Sequence, residues 1–441
     1  MHSSKSNASL VLPIGLMLFS FFFGAGNLIF PPILGQMAGE NLVMATLAFC
    51  ITGVGFPLLG VLAMAINRHE DPDGMAMPVH PTYARAVTLL CALTIGPLFA
   101  IPRTAATSYD TGIMFLLPTS YQDMGLAAYS LFFFALTYFM SINPSKIVDN
   151  IGKVMTPILL GSLAVLICAA VFSPVGPAEA PTGEYATAPF FKGFVEGYNT
   201  MDLLASLLFG AAAIKAIEGK GVTDQKELTS LCIKAGFIAA GCLGAIYTAL
   251  SYTGATSASI IREATNGGQM LNIISAHYFG GFGKIVLATI IFFACITTSI
   301  GLTTAISSYF EKLTGGKVSY KTFVTSICVF SFAISNVGLS NIIQFSIPVL
   351  CILYPITIAM VLLNVGKNIF HGDKYIFRST MILTTIFSIF DGLRAAGIDT
   401  GAVNTFLAKV VPLYEIGFGW VLPCFGGIVL GYILKAVCGS K

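Results

Sequence analysis

Leu18-Phe19-Ser20-Phe21-Phe22-Phe23-Gly24-Ala25-Gly26-Asn27 lies inside an otherwise apolar run, and Pro31-Pro32 follow it. A run of roughly 20 apolar residues is long enough to cross a bilayer as a helix. Two glycines and an asparagine at its centre lower the cost of leaving helical geometry. Backbone outside a helix at membrane depth is tolerated only where protein or a water-filled cavity covers it. Two readings stand: a broken helix lining a cavity, or a small-residue face on which another helix packs.

The stretch has an echo. Leu204-Ala205-Ser206-Leu207-Leu208-Phe209-Gly210-Ala211-Ala212 matches Leu18 to Gly26 at five of nine positions with one constant offset, 204 − 18 = 186. The copies fall in the first and sixth apolar spans, so a repeat relating them is inverted in the membrane. Paired interruptions in corresponding helices of two halves point to a transporter's binding site.

The rest of the chain agrees with a lipid setting. Of 441 residues, 56% are hydrophobic and 10% charged, against roughly 25% charged in soluble domains. That excludes a soluble enzyme, a disordered chain and a disulfide scaffold, and a net charge of +3 argues for no nucleic-acid partner. Twelve spans are predicted: 10–36, 41–66, 79–105, 122–142, 148–173, 199–217, 229–255, 283–310, 320–336, 339–365, 376–392 and 413–437. They form one all-α transmembrane domain, 1–441, with no appended soluble domain. The short N-terminal tail has no cleavage signal, so span one is expected to stay in place. The stretches 173–198, 256–282 and 393–412 are long connections on one side, the second with a surface helix about Leu271–Phe279.

Basic residues set the orientation. With both termini cytoplasmic, 17 of the 23 Lys and Arg lie inside, leaving Arg103, Lys192, Arg262, Lys284, Arg394 and Lys409 outside. The ten cysteines are scattered through the spans with no C-x-x-C pair, which reads as packing. No catalytic or nucleotide-binding motif occurs, so the chain is not read as an enzyme or an ATP-driven pump. The alternative to a gradient-driven carrier is a passive channel.

Polar groups inside spans are few and therefore informative. Span eight carries Thr297-Thr298-Ser299 after Ala294 and Cys295. Each hydroxyl alone reads as bonding back along its helix; together with carbonyls freed at a break, they make an oxygen cage for a dehydrated cation. Arg103, some 24 residues into span three, is expected near the outer surface, as an outer gate with Asp202 or Asp110 or as an arginine reaching headgroups. Glu218 and Asp391 read as solvated at span ends. His2, His69, His80, His277 and His371 fall in tails or loops.

Phe23 to Pro32 with Gly35 to Asn41, Thr52 to Gly60, Gly96 to Thr104 and Thr200 to Gly210 resemble the bacterial branched-chain amino acid:cation symporters, in order along most of the chain. The resemblance implies the leucine-transporter-like architecture: five helices, an inverted five more (about 10–173 and 199–365), broken helices one and six, and two extra helices (376–437). It implies a carrier in the bacterial inner membrane for leucine, isoleucine and valine, coupled to Na⁺ or H⁺. By that likeness the substrate carboxylate meets the N–H groups of Ala25 and Gly26, beside Asn27. The ammonium meets the carbonyls of Phe22 and Leu203 and the Ser206 hydroxyl, and Phe209 lines the side-chain pocket. The carbonyls of Ser20, Phe23 and Ala294 with Thr297 and Thr298 hold one cation. Proton-coupled relatives can place a lysine of helix five there. Residues 154–172 contain no ionisable group, which favours Na⁺. No other cofactor is implied.

Overall fold

Three phenylalanines followed by Gly-Ala-Gly end one helix and start another. In the computed structural model, which describes residues 10–67, 71–143, 148–262, 264 and 266–438, α1 (Val11–Phe22) stops and α2 (Ala25–Ala38) begins past a two-residue gap. Gly24 is extended there, at φ −121° and ψ −153°, and its N–H donates to Asn27 Oδ1 at 3.1 Å. The side chain of Asn27 thus closes the first turn of α2. Of the residues read above, Lys5, Arg68, Lys146, Lys441, His2 and His69 lie outside the described residues.

The second span is α3 (Leu42–Cys50) and α4 (Phe56–Asn67), joined by a π turn at Ile51–Gly55. The third is α5 (Pro81–Leu93) and α6 (Ala100–Thr107), joined at Thr94–Leu98, where Gly96 (φ −92°, ψ −128°), next to Pro97, leaves helical geometry. Then follow α7 (Gln122–Ser141), α8 (Thr156–Phe172), α9 (Pro189–Glu196), α10 (Asp202–Glu218), α11 (Gln225–Thr256), α12 (Gly267–Leu313), α13 (Tyr320–Ser335), α14 (Leu339–Val365), α15 (Lys374–Ala395), α16 (Ala402–Val410) and α17 (Val421–Cys438). No strand occurs among the described residues.

Each predicted span overlaps helix, though the last is helical only from Val421, and length and apolarity alone yield nine spans among the described residues, or ten with one bent pair. α1 and α13 fall short at 12 and 16 residues. α2 also continues into the second span as one 43-residue stretch.

The echo misplaces the second break. Gly210 lies within the continuous α10, where an added Cβ would stand 3.1 Å from Met64 Cβ; it serves close packing on α4. Helical continuity is lost earlier, at Met201, whose φ of 64° follows the 3₁₀ turn Gly197–Thr200. There Pro189–Thr200 and Asp202–Glu218 bend by 46°.

The long connections are strapped to the bundle. Gly176 N–H donates to Thr256 O at 2.9 Å, Thr182 N–H to Met37 O at 2.8 Å and Glu40 N–H to Glu179 O at 3.0 Å. α12 holds the expected surface helix, which turns at Gly280 (φ 58°, ψ −140°) into the span. His277, expected in a loop, sits on that surface helix and is exposed. Ion pairs join groups at the same end of the bundle: Lys312 with Asp71 (2.7 Å) and Lys435 with Asp373 (3.4 Å) at one, Lys192 with Glu184 (3.4 Å) and Arg262 with Glu179 (2.6 Å) at the other.

Glu218 is exposed, as expected, but Asp391 is not solvated. It is 3% exposed, with Arg394 Nη2 3.9 Å away. The connection after α15 folds back, with Arg394 donating to the Tyr414 carbonyl and Gly419 packed against Asp391. Distance along the chain from the span end therefore misjudged its burial.

Candidate functional site

The two breaks face each other. A buried polar cluster spans them: Asn27 Nδ2 donates to Asp202 Oδ2 at 2.7 Å and to the Tyr247 hydroxyl, which in turn donates to Asp202 Oδ2 at 3.0 Å. Asp202 is the first residue of α10, where a carboxylate is favoured by the unsatisfied N–H groups of a helix start. Asn27 performs two tasks, capping α2 through its oxygen and tying the breaks together through its nitrogen.

One turn before the first break, the Ser20 carbonyl accepts from Thr297 Oγ1 and Thr298 Oγ1, each at 3.1 Å. Thr297 Oγ1 also lies 2.8 Å from Phe293 O and 3.2 Å from Ala294 O. Ser20 Oγ meets Thr156 Oγ1 of α8 at 2.7 Å. A Cβ added to Gly24 would stand 2.8 Å from Thr298 Oγ1, so only glycine lets α12 approach the break this closely. Phe23 adjoins that point. The oxygens gathered here are neutral carbonyls and hydroxyls, a set that suits a hard monovalent cation better than a soft or highly charged one. Among the described residues no group of three or more His, Cys, Asp or Glu could hold a metal ion.

Between the breaks lies a central cavity of about 20 Å³ lined by Phe22, Gly24 to Asn27, Arg103, Met201, Asp202, Ala205, Phe209 and Thr298 among others. By that measure it is room for about one water molecule. A second cavity, of about 360 Å³, is lined by Met17, Leu208, Ala212, Lys215, Lys220 and Ser308 and opens at the Lys312 end of the bundle. Phe21 lines both cavities. Its ring packs on Phe209 at 5.0 Å, with Phe22 edge-on to Phe209 at 5.1 Å. Phe21 thus stands between the cavities, with Phe209 and Phe22 behind it on the central side.

Of the residues expected at a substrate site, Phe22, Ala25, Gly26, Asn27 and Phe209 line the central cavity, and Leu203 and Ser206 do not. Ser206 Oγ donates to Leu203 O at 2.7 Å and faces Gly60, where any added Cβ would collide with it. Arg103 is not at the outer surface. It is 3% exposed and reaches the central cavity, because Pro81–Leu116 is a 36-residue helical stretch bent at Gly96 in which residue count does not measure depth. It forms no ion pair with Asp202 or Asp110, and its Nε and Nη1 are buried without hydrogen-bond partners. Asp110 lies in the π turn Ser108–Ile113, two turns beyond Arg103 and away from the cavity lining.

Residues that the sequence did not flag complete the site. Tyr247 binds the cluster from α11, and Tyr354 of α14 accepts from Leu203 N–H at 3.4 Å while its ring stacks on Tyr198 at 4.5 Å. Tyr354 carries a signal, standing before Pro355 inside a span; Tyr247 carries none. All ten cysteines are free.

The family described as Branched-chain amino acid transport protein matches residues 7–438. The chain is 45% identical over 428 residues to the branched-chain amino acid permease BraB of Bacillus subtilis (strain 168), covering 97% of this chain and 96% of the permease. It is 36% identical over 431 residues to the branched-chain amino acid permease BrnQ of Escherichia coli (strain K12), covering 98% and 97%. Among solved structures it is similar in fold to a manganese transporter of Eremococcus coleocola (TM-score 0.63, 14% identity, 98% and 96% covered). It is likewise similar to MhsT in complex with L-phenylalanine (TM-score 0.51, 14% identity, 96% and 98% covered).

Proposed function

The chain belongs to the branched-chain amino acid transport protein family, a multi-pass membrane transporter and not an enzyme, and from that premise we propose a symporter that moves leucine, isoleucine and valine with one Na⁺ by alternating access. The observation that carries the reading is the pair of facing breaks, with a cluster of neutral oxygens one turn from the first.

The α2 start presents the unsatisfied N–H groups of Ala25 and Gly26 to a carboxylate, where the helix dipole favours an anion. The ammonium meets the Phe22 carbonyl at the α1 end; the Leu203 carbonyl, also expected there, accepts from Ser206. Phe209, Ala205, Ile95 and Leu302 line the cavity and take an aliphatic side chain. One methylene more or less changes binding in such a pocket by about 1–3 kcal/mol, so all three amino acids are accepted. Na⁺ is held by the carbonyls of Ser20, Phe23 and Ala294 and the hydroxyls of Thr297 and Thr298. Thr156 stands beside Ser20, where a lysine would compete with the ion; this supports Na⁺. The membrane is the bacterial inner membrane, with both termini and the 360 Å³ cavity on the cytoplasmic side.

Proteoliposomes carrying the purified chain are expected to take up labelled leucine when an inward Na⁺ gradient is imposed. Uptake that ignores Na⁺ and follows an inward proton gradient establishes H⁺ coupling instead, a second reading supported by the buried carboxylate of Asp202 in the cavity lining. A passive channel shows no counterflow of labelled against unlabelled leucine.

A further inference from the structure

We propose that Arg103 binds the α-carboxylate of the transported amino acid directly, through its side chain, and so makes a free carboxylate a condition of recognition. The inference rests on the reading of the central cavity as an amino-acid site and adds a contact to it.

Arg103 lines that cavity and is 3% exposed. Its Nε and Nη1 are buried without hydrogen-bond partners, although an arginine fork is built to give parallel bonds to a carboxylate. Its third nitrogen packs against Gly26: a Cβ added there would lie 2.8 Å from Arg103 Nη2 and 2.9 Å from Asn199 O. The guanidinium is therefore seated beside the first turn of α2. That turn is positive as well, through its unsatisfied N–H groups.

Two positive ends thus converge on one small space, and Asp202, the anion in the same lining, acts on Arg103 through its charge without bonding the guanidinium. Asp202 makes no ion pair with Arg103; its Oδ2 accepts from Asn27 and Tyr247. The guanidinium also lies over the Phe30 ring, 5.7 Å from Arg103 Cζ, a face that supports a cation without neutralising it. A buried cation left in this state is costly. A carboxylate in the central cavity, which Arg103 and the first turn of α2 both line, gives the guanidinium's Nε and Nη1 the acceptors they lack while facing the helix start. The same carboxylate cannot be replaced by an uncharged amide, since leucinamide carries a net positive charge into a site already positive.

The test is equilibrium binding of leucine and of leucinamide, in saturating Na⁺, to the unaltered chain and to Arg103→Gln and Arg103→Lys variants in detergent. The unaltered chain is expected to prefer leucine strongly. Arg103→Gln weakens leucine about 10- to 100-fold, the scale of lost charged hydrogen bonds, and leaves leucinamide equal or tighter, so the preference collapses. Arg103→Lys keeps the charge without the fork and retains an intermediate preference; it also carries the test if the glutamine variant does not fold. A preference unchanged in the variants, or equal weakening of both ligands, overturns the contact and leaves Arg103 a gate or a packing residue. Failure of the unaltered chain to bind leucine at all overturns the transport reading itself.

Discussion

At the scale of single residues, the site is built from groups that use backbone more than charge. Ser20 contributes a carbonyl, and Thr297 and Thr298 point their hydroxyls at it. Thr297→Ala and Thr298→Ala are each expected to raise the Na⁺ concentration for half-maximal leucine uptake about tenfold, as a lost ion-directed oxygen is worth about 1.5 kcal/mol. Leucine half-saturation at saturating Na⁺ stays unchanged. Equal loss of leucine binding at every Na⁺ concentration places the ion elsewhere. These threonines were picked out as three consecutive hydroxyl positions, Thr297 to Ser299, in mid-span, whereas the pairs Thr303-Thr304 and Thr384-Thr385 show that adjacency alone does not mark a site. Tyr247 was not legible, since one tyrosine in a span looks alike whether it faces lipid or Asp202. Ser206 was misleading for a related reason: a hydroxyl next to a presumed break bonds its own helix instead, and Gly60 fixes where it points.

At the scale of elements, glycine has two different uses that sequence spacing does not separate. Gly24 marks a real break, whereas Gly210 in the matching stretch is helical and admits Met64. What breaks the sixth helix is Met201 at φ 64°, a conformation that costs a non-glycine residue about 1 kcal/mol or more. Gly280 shows the conformational use plainly. Its φ of 58° and ψ of −140° fall where only glycine is at ease, and an added Cβ would meet nothing within 4 Å. Gly280→Ala is therefore expected to lower stability by about 1–3 kcal/mol through backbone conformation alone, read as an earlier thermal transition in detergent. An unchanged transition shows that the surface helix of α12 turns without it.

At the scale of the whole molecule, a cavity of about 360 Å³ reaches inward from one end, and Phe21, backed by the rings of Phe209 and Phe22, lies between it and a centre of about 20 Å³. A leucine can reach the centre only if those rings and the elements bearing them, α1 and α10, move. In a background with the exposed Cys168 and Cys438 replaced by serine, Ala212→Cys on the larger cavity is expected to react with an impermeant maleimide in inside-out vesicles. Leucine with Na⁺ is expected to slow that labelling. Labelling only in right-side-out vesicles reverses the orientation drawn from the basic residues.

By itself the sequence determined the solvent, the helical class, the approximate position of the spans and a weak point at Gly24, whereas the short helices α9 and α16 lie in stretches read as connections. What it determined follows from local chemistry: apolar runs must lie in lipid, and Gly-Ala-Gly-Asn weakens the helix that contains it. Only the tertiary structure decided which interruption faces which. It brought Asn27, Asp202 and Tyr247 together across 175 and 45 residues of chain, moved the second break to Met201, buried Asp391, and drew Arg103 from an expected surface to the cavity. Depth in a bilayer depends on bends such as that at Gly96 and on what packs against each helix, and neither is written in the spacing of one segment.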